Sequence, residues 1–92
     1  MKGRDRTPSR VHWAKLYDDM RRRLREARET AGMTQRDAAK RLGRPQSYVA
    51  KSETGERRVD AIELLQFADA YGVDLLSLLP GGRVVGLNAR KG

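Results

Sequence analysis

The sequence predicts an all-α fold, a compact bundle of five helices with a long first helix, and three observations support this. Apolar residues recur at spacings of three and four, the period of a helix that buries one face. Glycine or proline follows each apolar run, and Thr or Asp precedes three of them, as is typical of helix ends. The chain has 92 residues, which is enough for one domain.

The first helix is predicted over residues 13–31, where apolar residues form one continuous stripe ended by Gly32. The second begins after Thr34, which with Asp37 forms a shortened capping box. Gly43 supplies the turn into a third helix over residues 45–54, since Pro45 suits a first helical position. The first stripe consists of Trp13, Leu16, Tyr17, Met20, Leu24, Ala27 and Ala31.

The fourth helix follows Asp60 as its N-cap and ends at Gly72. A short fifth helix is predicted over residues 75–79, with Asp74 as its N-cap and Pro80 ending it. The residues expected to supply the apolar mass of the fourth helix are Ile62, Leu65, Phe67, Ala68 and Tyr71.

The two ends of the chain lack a helical pattern, so three segments are predicted: an arm over residues 1–12, a domain over 13–79 and a tail over 80–92. The arm is expected to be flexible and basic, either touching DNA phosphates or a minor groove, or remaining a solvated tail. The tail holds a strand-like run over residues 84–87. This run either pairs with a partner chain, folds back on the first helix or remains disordered.

Composition restricts the class of protein. The net charge is +8, and residues 1–58 carry 17 Lys or Arg against 8 Asp or Glu, whereas residues 59–79 carry four acidic residues and no basic one. This distribution favours a polyanionic partner on one side of the fold. The chain has no cysteine, which excludes disulfides and favours a reducing interior such as the cytoplasm. It also has no run approaching the ~18 apolar residues of a membrane span.

The third helix presents one polar and one apolar face. At 100° per residue, Gln46, Ser47, Ala50, Lys51 and Thr54 share one arc, while Val49 and most of Tyr48 lie on the other. The first arc offers amide, hydroxyl and amine groups around a small alanine. Such a face suits the reading of a DNA groove better than burial.

The run LREARETAGMTQRDAAKRLGRPQSYVAKSETGERR, followed by DAIELLQFADAYGVD, resembles the lambda-repressor-like, Cro/C1-type (XRE) helix-turn-helix family. The resemblance covers about residues 21–79 and implies a five-helix DNA-binding domain. Two positions depart from the family pattern: Pro45 replaces a hydroxyl cap, and Ser52 replaces a larger apolar residue. Residues that carry the resemblance include Arg28, Gly32, Thr34, Gln35, Ala38, Ala39, Leu42, Gly43, Ser47, Val49, Glu53, Gly55, Gly72 and Val73.

The resemblance also implies roles for individual residues. Gln46, Ser47 and Lys51 are expected to read base edges in the major groove. Arg28 and Glu53 are expected to form an internal ion pair. The residues expected to contact the DNA backbone are Gln35, Arg44, Thr54, Arg57 and Arg58.

These observations predict a sequence-specific regulator of transcription that binds double-stranded DNA, a dimeric repressor reading a pseudo-palindrome. The alternatives are an antitoxin that also binds a toxin, and a protein-interaction bundle without DNA binding. No enzyme, cofactor or metal is expected, because His12 is the only histidine and the carboxylates lack metal-ligand spacing. The candidate dimer contacts are Trp13, Leu16, Tyr17 and Met20.

Overall fold

The computed structural model describes residues 10–80, which form four α-helices and one 3-10 helix. The α-helices are α1 (Arg10–Thr30), α2 (Gln35–Leu42), α3 (Gln46–Thr54) and α4 (Ala61–Tyr71), and the 3-10 helix is Leu75–Leu78. The all-α prediction is confirmed for these residues. None of their helices is long and apolar enough to cross a lipid bilayer.

The predicted count of five α-helices is wrong, because the last segment is a 3-10 helix of four residues. Asp74 makes no side-chain cap bond there. The backbone bonds of this segment span three residues, from Ser77 N to Asp74 O and from Leu79 N to Leu76 O. Pro80 follows Leu79 directly. Because proline has no backbone N–H and its ring clashes with the preceding turn, an α-helix cannot continue through it.

The first helix starts at Arg10 rather than at the predicted residue 13. Residues 10–12 of the predicted arm therefore belong to α1. The rest of the arm and the predicted tail, apart from Pro80, lie outside the described residues.

The core lies where α1, α2, α3, α4 and the 3-10 helix meet. Leu24, Val49, Phe67 and Leu78 are its largest fully buried apolar side chains. The adjacent alanines of α2, Ala38 and Ala39, are also buried. Their small side chains allow α2 to approach its neighbours closely, and α2 packs against both α3 and α4.

The inward face of α4 holds only three of the five residues expected to supply its apolar mass. The other two, Ile62 and Leu65, are 63% and 47% exposed and do not pack in the core. Leu64, Phe67, Ala68 and Tyr71 are buried instead. These four follow one another at i, i+3, i+4 and i+7, which places them on one helical face, and Ile62 and Leu65 lie off that face.

Two predicted N-caps are present as full capping boxes. Thr34 Oγ1 accepts from Asp37 N at 3.0 Å, and Asp37 Oδ2 accepts from Thr34 N at 2.9 Å. Asp60 and Glu63 make the same reciprocal pair at the start of α4. The backbone N–H of Thr34 lowers the pKa of Asp37. The charged carboxylate of Asp37 therefore stabilises the fold above the pKa of about 3.9 that it has in the unfolded chain. This contribution is lost as the pH falls through the lower pKa that Asp37 has in the folded protein.

Replacing Thr34 with alanine is expected to lower the free energy of unfolding by about 1 kcal/mol, because the N–H of Asp37 loses its acceptor. Urea denaturation at neutral pH measures this change. Thr30→Ala is the matched control, since Thr30 is an exposed residue within α1, and its effect should stay within about 0.5 kcal/mol. Equal effects of the two substitutions would contradict the capping role.

Candidate nucleic-acid interface

The polar face of α3 is open to solvent. Gln46, Ser47, Lys51 and Thr54 are exposed, and Ala50 among them is half-buried. On the opposite side Val49 and Ser52 are completely buried and Tyr48 is 9% exposed. The structure thus brings the three predicted base-reading residues together on one accessible surface.

A tight turn sets the angle between α2 and α3. Gly43 has a φ of 69°, the left-handed conformation that favours glycine, and it ends α2. Arg44 N then donates to Ala39 O at 2.9 Å. Gly55, with a φ of 91°, ends α3 in the same way. Two short helices joined by a glycine turn, with the second presenting a polar face, form a helix-turn-helix motif.

Arg28 of α1 and Glu53 of α3 form a bidentate ion pair. Arg28 Nε lies 2.6 Å from Glu53 Oε2, and Arg28 Nη2 lies 3.0 Å from Glu53 Oε1. Their side chains are only 10% and 6% exposed. Arg28 Nη1 also donates to Met33 O at 2.9 Å. The hydrogen bonds to Glu53 raise the pKa of Arg28, so this pair stays charged and connects α1 to α3.

Gln35, the first residue of α2, joins the same ion pair. Its Nε2 donates to Glu53 Oε1 at 3.1 Å, and its side chain is half-buried. Glu53 therefore accepts from both α1 and α2, and the amide of Gln35 is directed toward the protein interior.

The three arginines expected at the DNA backbone have different surroundings. The guanidinium of Arg44 lies over the ring of Tyr48, with Cζ 4.5 Å from the ring centroid. Arg57 lies over the same ring at 4.2 Å and is half-buried. Arg58 is exposed and lies over the ring of Tyr17 at 4.3 Å. Arg58 and Arg44 are therefore at the surface, whereas Arg57 is only partly accessible.

The apolar stripe of α1 does not form one exposed surface. Met20 is buried in the core of its own chain, and Leu16 is half-buried. Trp13 and Tyr17 are exposed at 48% and 36%, although Arg58 covers one face of Tyr17. Only part of the predicted set is accessible to a second subunit.

A family model described as a helix-turn-helix domain matches residues 19–78. A solved XRE-family like protein from Pseudomonas syringae pv. tomato str. DC3000 is 41% identical, with a TM-score of 0.68, covering 89% of this chain and 93% of that chain. This chain belongs to the XRE helix-turn-helix family. The XRE family consists of DNA-binding transcription regulators, and the resemblance noted in the sequence is confirmed.

A second XRE-like solved structure is the restriction-modification controller protein C.AhdI from Aeromonas hydrophila. It is 33% identical, with a TM-score of 0.65, and the match covers 72% of this chain and 98% of that chain. Among curated proteins, none matches the chain.

Two residues that support this XRE motif were not singled out as site residues from the sequence. Glu63 binds Arg57 through both carboxylate oxygens, at 3.1 and 2.9 Å. Tyr48, which the helical period places mostly on the apolar arc of α3, is buried and stacks on Phe67 at a centroid distance of 5.8 Å. The sequence offered one signal for these contacts, because basic and aromatic residues lie close to α3. The contacts themselves join three elements and follow no fixed spacing along the chain.

Proposed function

We propose that this regulator is a repressor that recognises a pseudo-palindromic operator, with one α3 in the major groove at each half-site. The exposed face of Gln46, Ser47 and Lys51 is the observation that carries this proposal. These three side chains project from a helix whose opposite side is buried, so their positions are set by the core. A major groove is wide enough to admit such a helix.

The chemistry of this face suits base edges. The amide of Gln46 matches the N6 donor and N7 acceptor of adenine. The ammonium of Lys51 suits the O6 and N7 acceptors of guanine. Ser47 donates or accepts, and the methyl of Ala50 suits the methyl of thymine. We expect a half-site that contains both an adenine and a guanine.

The residues around α3 supply the backbone contacts in this proposal. Arg58 is exposed just beyond the end of α3, and Arg44 is exposed just before its start. Thr54 is exposed in the last turn. Gln35 lies at the N-terminus of α2, where backbone N–H groups and the helix dipole favour a phosphate. Arg44 and Arg58 thus precede and follow the reading helix along the chain.

The relatives support a regulatory role. C.AhdI is a restriction-modification controller protein, and nearly all of its chain is matched. The net charge of +8 adds electrostatic attraction to DNA. We propose that this chain likewise controls transcription by occupying a specific site.

Selection of bound duplexes from a random pool tests the proposal. We expect enrichment of two inverted half-sites with centres about 34 Å apart along the duplex. The logarithm of the affinity for the enriched duplex should fall linearly with the logarithm of the salt concentration. The magnitude of this slope should be about 0.9 for each phosphate contact. A pool that shows no enrichment, or an affinity that is independent of salt, would refute sequence-specific recognition.

The dimer interface in this proposal lies on α4 and the 3-10 helix. Ile62 and Leu65 are one helical turn apart on α4, and both are exposed, as is Leu76 in the 3-10 helix. These side chains belong to the segment that carries four acidic residues and no basic one. Burial of exposed apolar side chains drives subunit association.

Replacing both Ile62 and Leu65 with aspartate is expected to convert the dimer to a monomer, because two charges would be buried in the interface. Sedimentation equilibrium measures the change. Trp13→Ala and Leu16→Ala in α1 are the paired variants, since the sequence pattern predicted the interface there. A dimer that survives the α4 substitutions but dissociates with the α1 substitutions would assign the interface to α1.

A further inference from the structure

The start of α3 lacks the side-chain cap that α2 and α4 have. Pro45 occupies the N-cap position and makes no side-chain cap bond. A backbone bond from Tyr48 N to Pro45 O, 3.0 Å long, closes the first turn. By comparison, the Thr34 and Asp60 side chains cap the starts of α2 and α4. Without a side-chain cap, the first turn of α3 depends on the surrounding side chains for its stability.

Tyr48 occupies the centre of that surrounding structure. Its ring stacks on Phe67 of α4 at 5.8 Å. Arg57 from the loop after α3 and Arg44 from the turn before α3 also lie over the ring, at 4.2 and 4.5 Å. Tyr48 thus contacts residues that precede α3, follow α3 and belong to α4. A guanidinium over a tyrosine ring gains a cation–π attraction.

Both terminal nitrogens of the Arg57 side chain make hydrogen bonds to other residues of the fold. Its two terminal nitrogens donate to the carboxylate of Glu63 at 3.1 and 2.9 Å. Nη1 also lies 3.4 Å from Ser52 Oγ. These bonds to Glu63 raise the pKa of Arg57 and lower that of Glu63, so both groups remain charged. Three of its five N–H donors are therefore used within the protein, and the carboxylate of Glu63 occupies the edge formed by Nη1 and Nη2.

Ser52 continues this chain of contacts into α3. It is completely buried, and its Oγ donates to Tyr48 O at 2.7 Å. Its oxygen faces Arg57, where a larger apolar side chain would exclude the guanidinium. The departure from the family pattern at Ser52 is therefore matched by a polar neighbour.

We propose that Arg57 is a positioning residue, which sets the rotation of α3 about its axis and does not contact DNA phosphate. The inference rests on the proposed reading face. Tyr48 lies opposite Gln46 on the helix, so any rotation that loosens Tyr48 also moves the side chains that read bases. Glu63 keeps Arg57 on the ring of Tyr48. The neighbouring Arg58 is exposed and retains the role of phosphate contact.

Adjacent substitutions of the two arginines separate these roles. The duplex enriched by selection and a random duplex are titrated with the native chain, Arg57→Met and Arg58→Met at several salt concentrations. Arg58→Met should reduce the salt slope by about 0.9 and weaken both duplexes equally, as loss of one phosphate contact requires. Arg57→Met should leave the slope unchanged but reduce the preference for the selected duplex on the order of tenfold.

Lysine substitutions provide the second test and conserve the charge. Arg58→Lys should behave like the native chain, because lysine also binds phosphate. Arg57→Lys should lose preference as Arg57→Met does, because lysine cannot donate bidentately to Glu63 while stacking on Tyr48. A reduced salt slope in Arg57→Met, or native preference in Arg57→Lys, would overturn the inference. A native chain without preference for any duplex would instead refute the proposed function, and with it the basis of this inference.

Discussion

Replacing Glu53 with alanine is expected to lower the free energy of unfolding by about 3–5 kcal/mol, the cost of breaking a buried ion pair. The substitution leaves the guanidinium of Arg28 largely buried without its carboxylate partner. It also removes the acceptor of the Gln35 amide. Connections from α1 and α2 to α3 would be lost together.

Urea denaturation followed by circular dichroism measures this effect. Glu26→Ala is the matched control, because Glu26 pairs with Arg22 on the exposed surface of α1. An exposed pair contributes little, so the control should change stability by less than about 1 kcal/mol. Similar losses in the two variants would show that burial does not strengthen the Glu53 pair.

Replacing Gln46 and Lys51 with alanine is expected to weaken binding to the selected duplex by roughly 1–3 kcal/mol for each residue. Each substitution removes a side chain from the exposed face of α3 without disturbing its buried side. Base preference should relax at the position that each side chain reads. Titration of single-base variants of the duplex measures both the loss and its position.

Lys40→Ala is the control for Lys51→Ala, since it removes the same charge from an exposed site in α2. Any loss from this control should be equal for all duplexes, as expected of a general charge effect. If Gln46→Ala and Lys51→Ala retain native affinity and native base preference, the reading face is assigned wrongly.

These two sets of substitutions act on opposite sides of one helix. Glu53 is inward and connects α3 to two other helices, whereas Gln46 and Lys51 face solvent. We therefore expect Glu53→Ala to lower the stability of the fold and to retain the base preference. We expect Gln46→Ala and Lys51→Ala to lower the affinity for DNA and to retain the stability.

Much of the motif was predictable because its signals are local. Thr34 and Asp37 form their capping box within four residues, and Gly43 adopts the left-handed turn that its position predicts. The division of α3 into an exposed and a buried face also follows from the helical period. Such features depend on neighbours close in sequence, so their residue spacing is informative.

Other features were not predictable because they depend on which surfaces meet. Periodicity alone did not distinguish Leu64, which is buried, from Leu65, which is 47% exposed. The Leu75–Leu78 segment had an N-cap candidate but formed a 3-10 helix. The contacts of Arg57 with Tyr48 and Glu63 require the final placement of α3 against α4.

The sequence by itself determined the helices of the motif, their caps and the polar face of α3, because these follow from backbone geometry over a few residues. Its family pattern also determined what class of molecule the protein binds. Only the tertiary structure decided which apolar residues remain exposed and which arginines remain available at the surface. Burial and ion pairing are properties of distant segments brought into contact, and two adjacent arginines such as Arg57 and Arg58 therefore acquire different environments.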